Sequence, residues 1–349
     1  MKRVSIVILN WNGKAFLEQF LPVLIKYSAL PGVEIVIADN ASTDGSVAFL
    51  ETSYPGIRLI RLEQNFGFSG GYNRALARLD SKYFLLLNSD IEVTERWLEP
   101  LLELMEQDEL AAVCTPRIRD YHRRDHFEYA GAAGGYIDRY GYPFCRGRIF
   151  DHVEADRGQY DRVAEVFWAS GACLLVRAAL FREAGGLDER FFAHMEEIDL
   201  CWRLQRMGYR VFCEPGSTVY HVGGGTLPRG NPLKTFLNFR NNLLLLYKNL
   251  PSRQRRKTIP VRMLLDTLSA LRFIWQRSPA DFLSVIRAHR AYRGLRKYYR
   301  NNLVANNVNR ESVNFAYIYP GSIVVEFFLK GKKRFAQLEG KFRKAVTDD

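Results

Sequence analysis

No window of about 18 uncharged apolar residues occurs in the 349-residue chain, so no transmembrane helix is expected. The start, MKRVSIVILNWNG, has a basic tip but a short apolar run and no small-residue cleavage site, so no signal peptide is expected either. Cysteine is scarce. Cys114, Cys145, Cys173, Cys201 and Cys213 are odd in number and form no CxxC pair, which points to free thiols in a reducing, cytoplasmic setting. No GxGxxG follows the first apolar run, which argues against a nicotinamide-dependent dehydrogenase, and no GxxxxGK[ST] is present, which argues against a P-loop NTPase. Internal repeats and low-complexity tracts are absent as well.

What is present is a chain that is 47% hydrophobic and 13% aromatic, ample for one large domain or two. Its net charge of +12 is unevenly spread. Residues 229–349 hold 25 Lys and Arg against 7 Asp and Glu, whereas residues 1–228 hold 25 against 31. This contrast divides the chain into an acidic part, 1–228, suited to metal or cationic chemistry, and a basic part, 229–349, suited to an anionic surface.

The first part alternates apolar runs with helical patterns. VSIVIL (4–9), EIVIAD (34–39), IRLIRL (57–62) and YFLLLN (83–88) read as buried strands, and helices are expected near 14–27, in GYNRALARL and in ERWLEPLLELMEQ. The order predicts an α/β fold with a largely parallel sheet. Residues 120–165 read as a long, partly irregular insertion, followed by a strand at 173–176, a short helix, and a helix in MEEIDLCWRLQRMG ending at Gly208. YRVFCEP and STVYHVGGG follow as separate pieces, and the segments 232–250 and 258–276 read as amphipathic helices.

In such sheets ligands gather at the carboxyl ends of the strands. Here those ends are Asn10, Asp39, the loop from Asn65 to Gly71, and Asn88 with Asp90. Asp39 is followed by good turn and capping residues, yet it sits at a strand end itself. The loop NFGFSGGYN, with Gly67, is either a tight turn or a place where backbone N–H groups approach a phosphate or sugar. Asp90 suits a hard divalent cation but needs a partner; His221 is one candidate, and a packed histidine is the other reading. HMEEIDLCWR puts Glu196, Glu197 and Asp199 at a helix start. They either cap the helix, with Asp199 paired to Arg203, or supply a general base.

The segments SIVILNWNG, IVIADNASTDGS, NFGFSGGYNRA, FLLLNSD, WASGACLLVR, GGLDERFFAHMEEIDLCWR and VYHVGGG occur in this order. Together they resemble the inverting nucleotide-sugar glycosyltransferases of family 2, especially bacterial rhamnosyltransferase-type enzymes of surface polysaccharide assembly. The resemblance spans roughly residues 3–250. It implies a GT-A fold, with Asn88-Ser89-Asp90 standing for a DxD metal motif reduced to its last carboxylate. It further implies His221 as a metal contact, Asp39 as the nucleobase contact, and Asn65 and Asn73 on the nucleotide side. Gly171, with Ser170 and Ala172, would line the sugar pocket beside Trp168. The family base is usually the Asp of a Glu-Asp pair; that position is Glu197 here, which leaves Asp199 and Glu196 as alternatives.

The expected activity is metal-assisted single displacement, with Mg²⁺ or Mn²⁺ and a dTDP- or UDP-sugar, rhamnose being the best guess, delivered to a glycan or lipid-linked glycan. One rival is a non-catalytic protein that binds nucleic acid through its basic part, although no nucleic-acid signature is present. Another is a glycoside hydrolase, although its two carboxyls must face each other across the bond rather than share one helical turn. The basic part, with VRMLLDTLSALRFIW at helical spacing, is expected to lie on an anionic membrane surface at the cytoplasmic face, without crossing it.

Overall fold

The computed structural model describes residues 2–223, 231–302 and 317–342. The expected strands form: β1 (Lys2–Asn10), β2 (Val33–Asp39), β3 (Arg58–Arg61) and β4 (Ser81–Leu87). They lie side by side in the order β4-β1-β2-β3, all parallel. Helices α1 (Lys14–Tyr27), α2 (Ser46–Ser53) and α3 (Gly67–Leu76) make the crossovers. Because the chain steps from β1 outward to β2 and β3 and then returns to the other side of β1, a crevice opens at the carboxyl ends of β1, β2 and β4.

The continuous apolar runs are explained by burial on both faces. Val7, Val36, Phe84 and Leu86 belong to one core, and Ile6, Ile8, Ile37 and Leu85 to the other. Successive side chains of each strand enter opposite layers, so nearly every interior position is apolar, and the buried Ser5 is satisfied by hydrogen bonds to Glu34 and Ser81.

Beyond β4 come β5 (Ile91–Val93), α4 (Glu99–Gln107) and β6 (Ala111–Asp120). β6 carries no unbroken apolar signal, because its second half, Pro116 to Asp120, is charged. The 120–165 insertion contains more structure than expected. β7 (Gly135–Asp138), β8 (Pro143–Cys145), β9 (Arg148–Ile149) and β10 (His152–Val153) form a second sheet, and β11 (Ala164–Glu165) joins the main one. Strands of two to four residues are too short to carry a periodic signal.

β12 (Cys173–Arg177) then inserts antiparallel between β4 and β6, followed by α5 (Ala178–Glu183) and α6 (Glu196–Arg206). The two pieces expected after Gly208 are one strand, β13 (Arg210–His221), with an irregularity between Glu214 and Thr218 where Pro215 and Gly216 lie. Pro and Gly mimic a chain break at the sequence level, but here they mark a bulge. The tip of β13 pairs with β5, His221 opposite Ile91.

The basic part supplies α7 (Pro232–Asn249), α8 (Ser252–Trp275) and α9 (Pro279–Asn302), and β14 (Ile318–Tyr319) adds to β7 of the second sheet. The charge boundary near residue 229 is not a packing boundary, because Leu243 to Leu246 of α7 lie in the same core as Trp202 of α6. Among the described residues no helix is long and apolar enough to cross a membrane, and the five cysteines are buried free thiols.

Candidate active site

Parallel register sets Asn10 beside Asp39 at the ends of β1 and β2. Asn10 Nδ2 donates to Asp39 Oδ1 (3.1 Å) and to Ser42 Oγ (3.0 Å), while Asp39 Oδ2 accepts from the Ser42 N–H (3.0 Å). Both residues are buried, yet Asn10 Oδ1 has no partner. It faces Gly13, where a Cβ would stand 2.6 Å away. The crevice floor therefore carries a free acceptor that a side chain at position 13 would cover.

The glycine loop is the opening of α3 itself. Asn65 Oδ1 accepts from the Gly67 N–H (2.8 Å) and from Asn40 Nδ2 (3.0 Å), and Asn40 Oδ1 accepts from the Phe66 N–H (3.0 Å). Gly67 has φ +70°, and a Cβ there would lie 2.6 Å from the Phe192 ring, so both conformation and space demand glycine. Asn40, read from sequence only as a turn residue, holds this loop. The Asn73 amide donates to the Leu187 carbonyl (2.7 Å) and accepts from the Leu187 N–H (3.0 Å). Both ends of the amide bond the turn after α5.

Asp90 and His221 meet because Ile91, next to Asp90, pairs with His221. His221 Nε2 is 3.2 Å from Asp90 Oδ1, and Nδ1 is 3.2 Å from Glu128 Oε2. Neither nitrogen has an aligned hydrogen bond, so these are charge contacts. All three residues are buried. Burial opposes charge on His221, but Glu128 and Asp90 outweigh it and push its pKa up to about 10. Burial also opposes ionisation of Asp90, and His221 outweighs it, holding the carboxyl below its ordinary value. Glu128 sits inside the insertion and gave no sequence signal. Among the described residues no group of three or more His, Cys, Asp or Glu is arranged to hold a metal.

The acidic helix start divides into three roles. Asp199 accepts from Arg203 Nε, Lys248 Nζ and Asn249 Nδ2, each at 2.8 Å. Burial disfavours its charge, but Arg203 and Lys248 prevail and hold its pKa near about 2. Asp199 thus ties the helix start to Arg203, Lys248 and Asn249 and is held in its ionised form. Glu196 is buried, and burial with the adjacent Glu197 pushes it well above the carboxylate range. Glu197 is only half-buried, burial pushes its carboxyl up to about 7, and its Oε2 has no partner. Its side chain stands opposite Gly171, where a Cβ would be 3.8 Å from the Glu197 Cβ and 3.1 Å from the Phe68 ring. Glu197, Gly171 and Phe68 therefore converge. Trp168 is buried, its indole N–H donating to the Tyr136 carbonyl (2.9 Å). Asn88 is half-buried, its N–H bonded to the Ala172 carbonyl (2.9 Å).

The segment leading into α6 is strained. Phe192, His194 and Met195 have φ of 64°, 69° and 75°, which side chains other than glycine rarely adopt. Asn241 of α7 holds it, donating from Nδ2 to the carbonyls of Phe191 (2.9 Å), Ala193 (2.8 Å) and His194 (2.8 Å). The sequence signal was Asn241-Asn242, polar residues inside an apolar helix pattern.

Residues 5–182 match the family described as Glycosyl transferase family 2, slightly more than half of the chain. The chain belongs to that family. It is a glycosyltransferase with a GT-A fold, a mixed α/β sheet followed by a helical C-terminal region. This glycosyltransferase is 29% identical over 236 residues to the N-acetylglucosaminyl-diphospho-decaprenol L-rhamnosyltransferase of Mycobacterium tuberculosis, covering 62% of this chain and 75% of the relative. It is 25% identical over 255 residues to the low-salt glycan biosynthesis hexosyltransferase Agl10 of Haloferax volcanii, covering 69% and 74%. Solved structures similar in fold include the mannosyltransferase PcManGT of Pyrobaculum calidifontis in complex with GDP-Man and Mn²⁺ (TM-score 0.51, 14% identity, 95% of this chain and 89% of that one). S. aureus TarS 1-349 in complex with UDP-GlcNAc is another (TM-score 0.54, 14% identity, 91% and 93%). The matched family segment ends before α6 and β13, so Glu197 and His221 lie outside it.

Proposed function

We propose that this family 2 enzyme is an inverting hexosyltransferase. It would move a sugar, rhamnose first among candidates, from a dTDP- or UDP-linked donor to a lipid-linked glycan. The observation that carries the reading is Glu197: a half-buried residue whose carboxyl is raised to about 7, whose buried Oε2 has no partner, and which stands opposite Gly171. A carboxyl raised towards neutrality by burial is suited to accept a hydroxyl proton. The relative from M. tuberculosis supports rhamnose and a diphosphate-lipid acceptor, and the neighbours bound to GDP-Man and UDP-GlcNAc support a nucleotide-sugar donor.

In the proposed reaction the acceptor hydroxyl oxygen bonds to the anomeric carbon from the face opposite the nucleotide. The bond to the diphosphate oxygen breaks, its electron pair leaves with the diphosphate, and Glu197 takes the hydroxyl proton. Asp39 and the unpartnered Asn10 Oδ1 offer acceptors for the nucleotide, and the Asn40–Asn65 pair holds the Gly67 loop open for its approach. A divalent ion would have one place, beside Asp90, where both His221 nitrogens are buried without an aligned hydrogen bond, and its binding would require His221 to release the proton that Glu128 and Asp90 hold on it. Asp90 and His221 would hold Mg²⁺ or Mn²⁺, whose chemistry when bound is to neutralise charge on a departing diphosphate. The neighbour in complex with GDP-Man and Mn²⁺ supports this assignment.

The acidic part, 1–228, would carry the chemistry, and the basic region, 229–349, would keep the enzyme at the cytoplasmic face of the membrane where a lipid-linked acceptor resides. The test is a donor panel, including dTDP-rhamnose and UDP-sugars, with and without a lipid-diphosphate-linked acceptor. Nucleoside diphosphate release that requires acceptor, with sugar found on the acceptor, supports the reading. Acceptor-independent release of free sugar would make the protein a hydrolase.

A further inference from the structure

α8 is turned the opposite way from an ordinary surface helix. Its ion-paired residues face inward: Arg262 and Asp266 are buried, with Arg262 Nε donating to Asp266 Oδ1 (2.7 Å). Its apolar residues face outward. Val261, Leu264, Leu268, Leu271 and Trp275 recur at alternating spacings of three and four, and all are exposed, Leu264 at 61% and Trp275 at 85%. Other exposed apolar residues lie on the neighbouring elements. Leu283 and Ile286 of α9 are exposed, and the Arg272 guanidinium lies 5.2 Å over the Phe328 ring, which brings Phe328 and the 80%-exposed Leu329 alongside. Single exposed leucines are ordinary, but a continuous apolar face of this kind marks a contact surface.

Its charge selects the partner. The acids of α8 and α9 are Asp266 and Asp281, and both are buried. Every exposed charge on these two helices is therefore positive, among them Arg256, Lys257, Arg287, Arg290 and Arg293, and Arg277 in the turn between them is exposed too. A second copy of the chain would bring two cationic rims together, which opposes self-association. An anionic lipid surface complements both features, because an apolar stripe enters the acyl boundary while arginines remain at headgroup level. We infer that the face formed by Leu264, Leu268, Leu271 and Trp275 is a wedge that seats the enzyme in the interface of an anionic bilayer. This deepens the membrane placement proposed above by assigning the residues that enter the lipid.

The experiment is flotation of the full chain with phosphatidylcholine vesicles, with and without phosphatidylglycerol, in the absence of donor and acceptor. The wild type is expected to float with phosphatidylglycerol vesicles and to be released by salt. The variant Leu264→Gln/Leu268→Gln/Leu271→Gln is expected to bind at least tenfold more weakly while keeping wild-type circular dichroism. Brominated acyl chains should quench wild-type tryptophan fluorescence, and Trp275→Ser should lose that quenching. Arg287→Glu/Arg290→Glu/Arg293→Glu should lose the preference for phosphatidylglycerol. Wild-type binding by the leucine variant would overturn the inference, as would a wild type that ignores vesicles. A lipid-independent dimer in sedimentation velocity, dissolved by the leucine variant, would assign the face to a second copy instead. Since no sugar chemistry enters the assay, failure here leaves the transferase reading standing, and an inactive protein that still floats leaves this one standing.

Discussion

Lys248 Nζ lies 2.8 Å from Asp199 Oδ2, joining the basic helix α7 to the acidic start of α6 across the charge boundary of the chain. Arg203 completes the pairing from the other side, and Asp199 is fully buried. Removing this carboxylate leaves the half-buried Arg203 without an acid partner and Lys248 with Asp188 alone, so Asp199→Asn should destabilise the protein by about 1–3 kcal/mol. Urea unfolding followed by circular dichroism measures this. The carboxyl is held down from 3.8 to about 2, so its stabilising effect is present above pH 4 and is lost as pH falls through 2.

The pH dependence of turnover should report Glu197. Burial raises its carboxyl from 4.5 to about 7, and only the ionised form accepts a proton. The kcat/KM profile should therefore rise with pH through the neutral range and level off above it. Stability should run the other way, because the native state holds this proton more tightly than the unfolded chain. Between pH 4.5 and 7 it should fall as pH rises. A rate that is flat from pH 5 to 8 would remove Glu197 as the group that titrates.

Metal dependence should trace to Asp90, His221 and Glu128. Asp90→Asn is expected to abolish Mn²⁺-dependent donor binding in calorimetry, and EDTA should do the same to the wild type. Glu128→Gln removes the carboxylate that faces His221 Nδ1 and should lower metal affinity about 10–100-fold. Full activity in EDTA would remove the ion from the reaction.

Asn241 should act as a positioning residue. Its amide spans three carbonyls of the segment that carries Phe192, His194 and Met195 at positive φ, and this segment aims α6. Asn241→Ala should lower kcat at least tenfold with donor affinity unchanged, since it disturbs the aim of Glu197 and not the strand ends. Asn241→Ser, which retains a donor, should recover part of the rate. A fall in stability with no split between kcat and donor binding would make Asn241 merely structural.

The sequence carries the nucleotide half of this molecule well, because strands buried on both faces give unbroken apolar runs that end on Asn10, Asp39 and Asn88. It carries the second half poorly. The strands of the 135–153 sheet are two to four residues long, and β13 is interrupted by Pro215 and Gly216, so periodicity fails in both. Partners brought together only by folding were also hidden. Glu128 reaches His221 from the insertion, and Asn241 and Lys248 reach the α6 segment from a helix nearly fifty residues later. Asn73 and Trp168 show the converse: their positions fit the family pattern, but hydrogen bonds to Leu187 and Tyr136 take up their polar groups.

The central claim is that Glu197, and not Asp199, takes the acceptor proton. Its most direct test is single-turnover transfer by Glu197→Gln, with donor affinity measured on the same preparation. Glutamine keeps the shape and loses the basicity, so the account predicts wild-type donor affinity and a transfer rate lower by about 10²–10⁴. A Glu197→Gln enzyme that transfers sugar at the wild-type rate would contradict it.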